Sequence, residues 1–180
     1  MNHFYNVYYF IDKFDSDEIL NLDKKINIIY RNYHSEINDD EIKKIKKICL
    51  LGKRKFFISN NLKVVLKHNL DGLYIPSFNK NLNFKNINTK NKFNIIGSAH
   101  NLREIKIKEK QGCSLIFLSP IFKNSKKKPY LEIIKFNLLS IASSVGTIAL
   151  GGINNSNIRR LYCSKVKGYA GISGIKKTGL

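Results

Sequence analysis

Two glycine-bearing turns late in the sequence are the residues best suited to chemistry. Gly151 and Gly152 follow one short apolar run, and Ser173 and Gly174 follow another that ends at Ile172. Glycine lets a ligand approach the main chain closely because no Cβ intervenes, and successive backbone N–H groups can hold an anion. The two turns therefore predict a phosphate-binding cradle. The alternative is that these glycines only make tight turns.

Basic residues could complete such a site. Residues 123–128 (KNSKKK) form a lysine-rich segment in which one or two lysines could neutralise a phosphate, the rest being solvated. Arg31 follows the apolar run INIIY, where a guanidinium could hold a phosphate or pyrophosphate through two parallel hydrogen bonds. A structural ion pair with Asp12 or another carboxylate is the alternative for Arg31.

The elements that must position these residues alternate along the chain. Eight short apolar runs are separated by segments with helical periodicity, which favours a parallel β/α architecture and predicts a (β/α)8 TIM barrel in one domain, residues 1–180. Because the chain is short, we expect an abbreviated first unit and a final helix that is missing or reduced. The predicted strands are 7–11, 26–30, 56–59, 72–75, 93–97, 115–118, 147–150 and 169–172.

Helix-capping and packing patterns support this order of elements. Asn38 and Glu41 resemble a capping box at the start of the second helix. In the helix after the fifth strand, Leu102, Ile105 and the stem of Lys106 are expected to face the core. The helix after Pro129 carries Leu131, Ile134, Leu138 and Leu139.

The active site of such a barrel lies at the C-terminal ends of its strands. Of the histidines, only His100 lies at such an end, and capping or packing is its expected role. Carboxylates do not come in pairs there, which argues against acid–base or metal-dependent chemistry. The residues at these ends are Asp12, Arg31, Ser59 with Asn60, Pro76 with Ser77, Ser98 with His100, Ser119, Gly151 with Gly152, and Ser173 with Gly174.

The composition limits the remaining classes of function. The net charge of +19 comes with lysine spread along the whole chain, so we expect steering of anionic metabolites and no specific nucleic-acid binding. No apolar stretch is long enough to span a bilayer, and residues 1–12 have no features of a secretory signal. Three widely spaced cysteines are expected to be reduced thiols. Together these features predict a cytoplasmic protein without a membrane partner.

Three strings of residues together resemble the thiamine phosphate synthase family, which includes the thiazole tautomerases. They are IIGSAHNLREIKIKEKQGCSLIFLSPIF (95–122), ALGGIN (149–154) and GYAGISGI (168–175). The resemblance implies a β/α barrel, often oligomeric, that joins hydroxymethylpyrimidine diphosphate to hydroxyethylthiazole phosphate and releases pyrophosphate. It also implies Mg²⁺ and basic residues that stabilise the departing pyrophosphate.

Carried over by position, the resemblance assigns three groups of residues. Arg31 and Lys127 match basic residues of the catalytic apparatus. The two magnesium carboxylates of the family fall on Asn60 and Asn79, whose neutral amides should bind Mg²⁺ weakly. The tautomerase relatives carry a histidine where this chain has Ser119. The substrate-binding matches are Ser59, Asn60, Ser98, Asn124, Gly151, Gly152, Ile172 and Ser173.

The resemblance and the residues lead to one expectation and two alternatives. The first expectation is a thiamine phosphate synthase-like enzyme acting on small phosphorylated metabolites, with possible homo-oligomerisation. A metal-free enzyme of the thiazole tautomerase type is the second. A non-catalytic barrel that binds a phosphorylated ligand is the third.

Overall fold

The computed structural model describes residues 6–84, 93–124 and 129–171 of the chain. Within them, eight parallel strands close into a barrel in which every strand pairs with its neighbours in sequence, and β8 pairs with β1. The strands are β1 Asn6–Ile11, β2 Ile26–Tyr30, β3 Phe56–Ser59, β4 Gly72–Ile75, β5 Asn94–Ala99, β6 Leu115–Leu118, β7 Gly146–Leu150 and β8 Gly168–Gly171. The predicted TIM barrel is thus confirmed.

Helices fill most of the connections between the strands. The first of them has only five residues, as the short chain predicted, and a 3₁₀ helix, Ile158–Cys163, stands between β7 and β8. The predicted reduction of the final helix concerns residues after β8, which lie outside the described part of the chain. The α-helices are α1 Ser16–Leu20, α2 Asp39–Leu51, α3 Leu62–Lys67, α4 Leu102–Lys110 and α5 Glu132–Ala142.

The capping of α2 differs from the predicted box. The Asn38 side chain does accept hydrogen bonds from the N–H groups of Asp40 and Glu41. The Glu41 carboxylate, however, accepts from the Phe14 N–H and the Tyr30 hydroxyl, and so ties α2 to the loop after β1 and to the last residue of β2. The same side chain therefore positions the loop after β1, because a carboxylate oxygen can serve any nearby donor.

Two helices bury a set of residues that differs in part from the predicted set. In α4 the buried residues are Ile105, as predicted, and Lys108, whereas Leu102 and Lys106 are exposed. In α5 the buried residue is Phe136 and Ile134 and Leu138 are exposed, whereas Leu131, just before the helix, is buried and Leu139 packs against the core. The expected homo-oligomer stays a prediction.

The interior of the barrel is filled with side chains, many of them aromatic. Tyr8, Phe10, Tyr74 and Phe117 are buried there and meet edge to face, with ring centroids 5.0 Å apart for Tyr8 and Phe117 and 5.3 Å for Phe10 and Tyr74. Such contacts place the positive edge of one ring against the negative face of another. Because side chains fill the barrel interior, any ligand must bind at the C-terminal ends of the strands, above these rings.

The described helices do not include one with the length and apolarity needed to cross a membrane.

Candidate functional site

Arg31 lies at the barrel mouth, directly after β2. Its N–H donates to the carbonyl of Ile11, and its guanidinium carbon stands 4.6 Å from the centre of the Phe10 ring. Among the residues that the structure describes, no carboxylate forms an ion pair with Arg31, so the alternative pairing with Asp12 is not observed. A half-buried guanidinium stacked on an aromatic ring keeps its N–H donors available to an anion.

Ser59 and Ser98 are both buried at the mouth, and each lies beside a tyrosine. The Ser59 and Tyr33 hydroxyl oxygens are 2.7 Å apart, and Ser98 lies close enough to Tyr74 to lower the pKa of its hydroxyl. Burial raises the pKa of Tyr74 to about 12, against smaller opposing effects of Ser98 and the Arg31 charge. The two serines, like Arg31, therefore lie next to aromatic side chains at the barrel mouth. Tyr33 was not predicted as a site residue. The signal that could have identified it is its position two residues after Arg31, following the same strand.

Asn60 and Asn79 meet at the mouth, as the resemblance implied. The Asn79 side-chain amide donates to the Asn60 side-chain oxygen over 2.6 Å, and the Asn79 side-chain oxygen accepts from the Asn81 N–H. Both amide oxygens are already bonded to donors and carry no charge. No group of three or more His, Cys, Asp or Glu side chains suited to a metal occurs in the described ranges. These residues do not fit a strong Mg²⁺ site.

Restoring carboxylates at both positions should create metal affinity. We expect Asn60→Asp together with Asn79→Asp to raise the Mg²⁺ association constant at least about tenfold, because two anionic oxygens would replace a neutral amide pair. Isothermal titration with MgCl₂ measures the effect, and Asn81→Asp, exposed in the same loop, is the control for added charge. Tight Mg²⁺ binding by the unmodified protein would contradict this interpretation.

The glycine turn after β7 has a backbone geometry that glycine adopts readily. Gly151 and Gly152 have φ values of 90° and 74°, in the left-handed region. Within the described parts of the chain, their N–H groups have no hydrogen-bond acceptor. The side-chain amide nitrogen of Asn124 is 4.0 Å from the position that a Cβ at Gly151 would take. Among the described residues, the turn thus offers two donors without an acceptor beside Asn124, which suits an anion.

The reason why Gly152 must be glycine is structural. A Cβ there would lie 2.4 Å from the Phe122 carbonyl oxygen and 2.6 Å from that of Lys123. The predicted reason was room for a ligand, whereas the Cβ position is filled by the backbone of the loop after β6. The other predicted members of the cradle, Ile172, Ser173 and Lys127, lie outside the described residues.

His100 has a larger role than the capping predicted for it. It does lie at the start of α4, just before the N-cap Asn101, where its backbone N–H donates to the Glu104 carboxylate over 2.8 Å. Its imidazole, however, bridges two other strand ends. Nε2 is 3.1 Å from the Ser77 hydroxyl oxygen after β4, and Nδ1 is 2.6 Å from the Ser119 carbonyl oxygen after β6. Sequence spacing could not show this, because the three residues meet only when the barrel closes.

A buried lysine holds the loop after β4. The ammonium group of Lys108 donates to the carbonyls of Pro76 and Asn79 and to the side-chain oxygen of Gln111, at 2.7–2.8 Å. Gln111 in turn donates to the carbonyls of Asn79 and Asn81. Burial lowers the pKa of Lys108 to about 8. The loop that carries Ser77 and Asn79 is thereby anchored to α4 from beneath.

Fold and site together define a closed parallel β/α barrel with candidate anion-binding groups at its C-terminal mouth. The family model described as thiamine monophosphate synthase matches residues 21–175. The chain therefore belongs to the thiamine monophosphate synthase family.

Curated relatives support the family at modest identity. The chain is 28% identical over 135 residues to a thiamine-phosphate synthase of Methanococcus vannielii, and 30% identical over 135 residues to one of Clostridium acetobutylicum. Each match covers 73% of this chain, and 65% and 64% of the two relatives. A thiamine-phosphate synthase of Prochlorococcus marinus is 29% identical over 144 residues, which are 75% of this chain and 40% of that protein. The matched part of the chain thus spans less than two thirds of these relatives.

Solved structures show the same fold. A thiamine phosphate pyrophosphorylase from Pyrococcus furiosus superimposes with a TM-score of 0.75 at 18% identity, over 97% of this chain and 92% of that one. A phosphoribosylanthranilate isomerase from the same organism has a TM-score of 0.67 at 12% identity, over 97% and 91% of the two chains. At these identities the likeness concerns the barrel alone.

Proposed function

We propose that this chain joins hydroxymethylpyrimidine diphosphate to hydroxyethylthiazole phosphate and releases pyrophosphate. Family membership supports the reaction type. The observation that supports it is that the barrel mouth has two separate sets of hydrogen-bond donors suited to an anion. Within the described residues, the N–H groups after β7 lack an acceptor and the guanidinium of Arg31 after β2 lacks a carboxylate partner, and β2 is three strands away from β7 around the closed barrel. A coupling enzyme with two phosphorylated substrates needs two such places.

Each set has a distinct task in this proposal. The donors of Gly151 and Gly152, with Asn124 and Lys127 from the preceding loop, hold the thiazole phosphate. Arg31 faces the diphosphate, where negative charge grows as the bond to the pyrimidine methylene carbon breaks. Fixed donors aimed at developing charge lower the barrier because they need no reorganisation during the reaction. The thiazole nitrogen then bonds to that carbon.

The chain's own cations must meet the pyrophosphate charge, because Asn60 and Asn79 do not fit a magnesium site. Lys127 and Arg31 are the cations that the sequence assigns to this task. Their contribution is electrostatic, and none of these groups has to abstract a proton for the coupling. We therefore expect a slow coupling that depends only weakly on added Mg²⁺.

An assay with both purified precursors tests the proposal. Thiamine phosphate should form with Mg²⁺ and, at a similar rate, with EDTA. Replacing Arg31 by alanine should lower kcat/KM roughly ten- to a hundredfold, since a hydrogen bond to a charged group contributes about 1.5–3 kcal/mol. Arg103→Ala, which removes an exposed guanidinium from α4, is the matched control. Failure to form thiamine phosphate under both conditions would overturn the proposal.

A second function, a metal-free isomerisation of a thiazole phosphate, is favoured by one observation. The Asn60–Asn79 amide pair occupies the place where the resemblance implies magnesium carboxylates. An isomerase needs only one phosphorylated ligand and no pyrophosphate apparatus. Exchange of solvent deuterium into a bound thiazole phosphate, measured by NMR in the absence of the pyrimidine, would support this function over the coupling.

A further inference from the structure

Three strand ends bring a serine, a histidine and a carbonyl into one hydrogen-bonded chain. Ser77 follows β4, His100 follows β5 and Ser119 follows β6. The Ser77 hydroxyl oxygen is 3.1 Å from Nε2 of His100, and Nδ1 is 2.6 Å from the Ser119 carbonyl oxygen and 3.3 Å from its hydroxyl. The coupling proposed above has no use for such a chain, because it requires no proton abstraction.

The carbonyl of Ser119 determines which ring nitrogen carries the proton. A carbonyl oxygen can only accept, so the short contact to Nδ1 requires an N–H there. In the neutral imidazole, Nε2 is then the nitrogen with the lone pair. The Ser77 hydroxyl, 3.1 Å away, must donate its proton to that lone pair. The hydroxyl is thus polarised toward a base that a third group orients, which is the arrangement that activates a serine nucleophile.

Both partners are held in place by groups outside the pair. The Glu104 carboxylate fixes the backbone of His100 at the start of α4, and Asn101 caps that helix. Lys108, fully buried, donates to the carbonyl of Pro76, the residue just before Ser77, and to that of Asn79. Secured backbone on both sides preorganises the hydroxyl and the imidazole, which reduces the reorganisation needed during a reaction.

The pair is also accessible. The ring of His100 is exposed, and Ser77 is half-buried at the barrel mouth. Pro120, the residue after Ser119, stands 3.0 Å (through its Cβ) from the position that a Cβ at Gly151 would take. The pair therefore opens onto the same mouth as the glycine turn. The net charge of +19 favours substrates that carry a negative group.

We propose that Ser77 is a base-activated nucleophile, with His100 as its general base, and that the barrel hydrolyses small anionic carboxylic esters. Ser77 Oγ adds to the acyl carbon while its proton passes to Nε2. That proton then goes to the leaving alcohol oxygen as the ester C–O bond breaks. Water attacks the acyl-serine, gives one proton to Nε2, and releases the carboxylic acid as Nε2 returns the proton to Oγ. The net reaction is ester plus water to acid plus alcohol.

A fluorophosphonate probe tests the nucleophile in the unmodified protein, because Ser77 Oγ would displace fluoride from its phosphorus. Trypsin should release residues 68–80 (HNLDGLYIPSFNK), in which Ser77 is the only serine, so fragmentation of this peptide locates the adduct. We expect the adduct on Ser77 and none in Ser77→Ala. In His100→Gln the labelling rate should fall at least about a hundredfold, the usual contribution of a general base.

Two substitutions outside the site provide controls. His34→Gln and Ser35→Ala change exposed residues of the loop after β2 and should leave labelling unchanged. Circular dichroism and thermal unfolding show whether Ser77→Ala and His100→Gln keep the fold. Hydrolysis of p-nitrophenyl succinate, an anionic ester, should be faster with the unmodified protein than with Ser77→Ala. An adduct that is absent, lies on another residue, or forms at the same rate in His100→Gln would overturn the proposal.

Discussion

Replacing Gly152 by valine is expected to destabilise the protein and to abolish binding of a thiazole phosphate. The Cβ would meet the carbonyl oxygens of Phe122 and Lys123 at 2.4 and 2.6 Å, and both belong to backbone that cannot rotate away. A non-glycine residue in the left-handed region costs about 1–2 kcal/mol, and overpacking typically costs about 1–3 kcal/mol more. We expect a total loss of roughly 2–5 kcal/mol in urea unfolding.

The alanine variant at the same position separates two explanations. If contact with the loop after β6 is the cause, Gly152→Ala should lose nearly as much stability as Gly152→Val, since the Cβ alone makes the contact. If glycine served only to admit a ligand, the free protein would keep its stability in both variants. Ile153→Val, the adjacent conservative change, should preserve both stability and binding.

Replacing Lys108 by methionine is expected to change how stability depends on pH. Burial lowers the folded-state pKa of Lys108 from its ordinary value of 10.5 to about 8. Between these pH values the unfolded chain binds a proton that the folded chain has released, so this group makes the free energy of unfolding rise with pH. Relative to Lys108→Met, the unmodified protein should gain on the order of 3 kcal/mol from pH 8 to 10.5.

The quantity to measure is the difference in the free energy of unfolding between the unmodified protein and Lys108→Met, as a function of pH. Cys49 and Cys113 have pKa values raised to about 12 by burial, so their contribution falls as pH rises above 9, in the opposite direction. Subtracting the Lys108→Met curve removes the Cys49 contribution, and carrying Cys113→Ala in both proteins removes that of Cys113, whose pKa the Lys108 charge lowers. Lys110→Met, at the exposed end of the same helix, should follow the unmodified protein. A pH-independent difference would show that Lys108 does not titrate in this range.

The barrel could be predicted because its determinants are local. Most strands are short apolar runs followed by a helical segment, and this alternation permits few topologies. The largest shift in a strand end is in β5, which runs to Ala99 and not to residue 97. Ser98 and Ala99 stay in the ladder because they pair with Phe117 and Leu118 of β6, and this long-range pairing is not visible in the local sequence.

The position of the candidate anion site could be inferred from the sequence, but its internal contacts could not. Gly151 and Gly152 stood out because a second glycine-bearing turn follows the next predicted strand. The backbone of Phe122 lies against Gly152, and this contact depends on how the loop after β6 packs beside the end of β7. Arg31 was identified correctly as a residue of the mouth, whereas its stacking on Phe10 depends on which face of β1 turns inward.

Lys108 and His100 show most clearly which contacts local sequence patterns cannot predict. A lysine in an amphipathic helix is expected in solvent, yet Lys108 is buried because its acceptors come from a loop about 30 residues earlier in the chain. The Ser77–His100–Ser119 contacts likewise join three strand ends whose distances are set only when the barrel closes. Local patterns identify such side chains as candidates, and tertiary structure decides their partners.

Calorimetric titration measures directly whether the barrel mouth binds the phosphate of a small metabolite. Hydroxyethylthiazole phosphate and the same thiazole without its phosphate would be titrated into the unmodified protein and into Lys127→Ala. We predict that the phosphorylated compound binds at least about tenfold more tightly, and that Lys127→Ala weakens its binding roughly ten- to a hundredfold. Equal affinity for the two compounds in the unmodified protein would contradict the account.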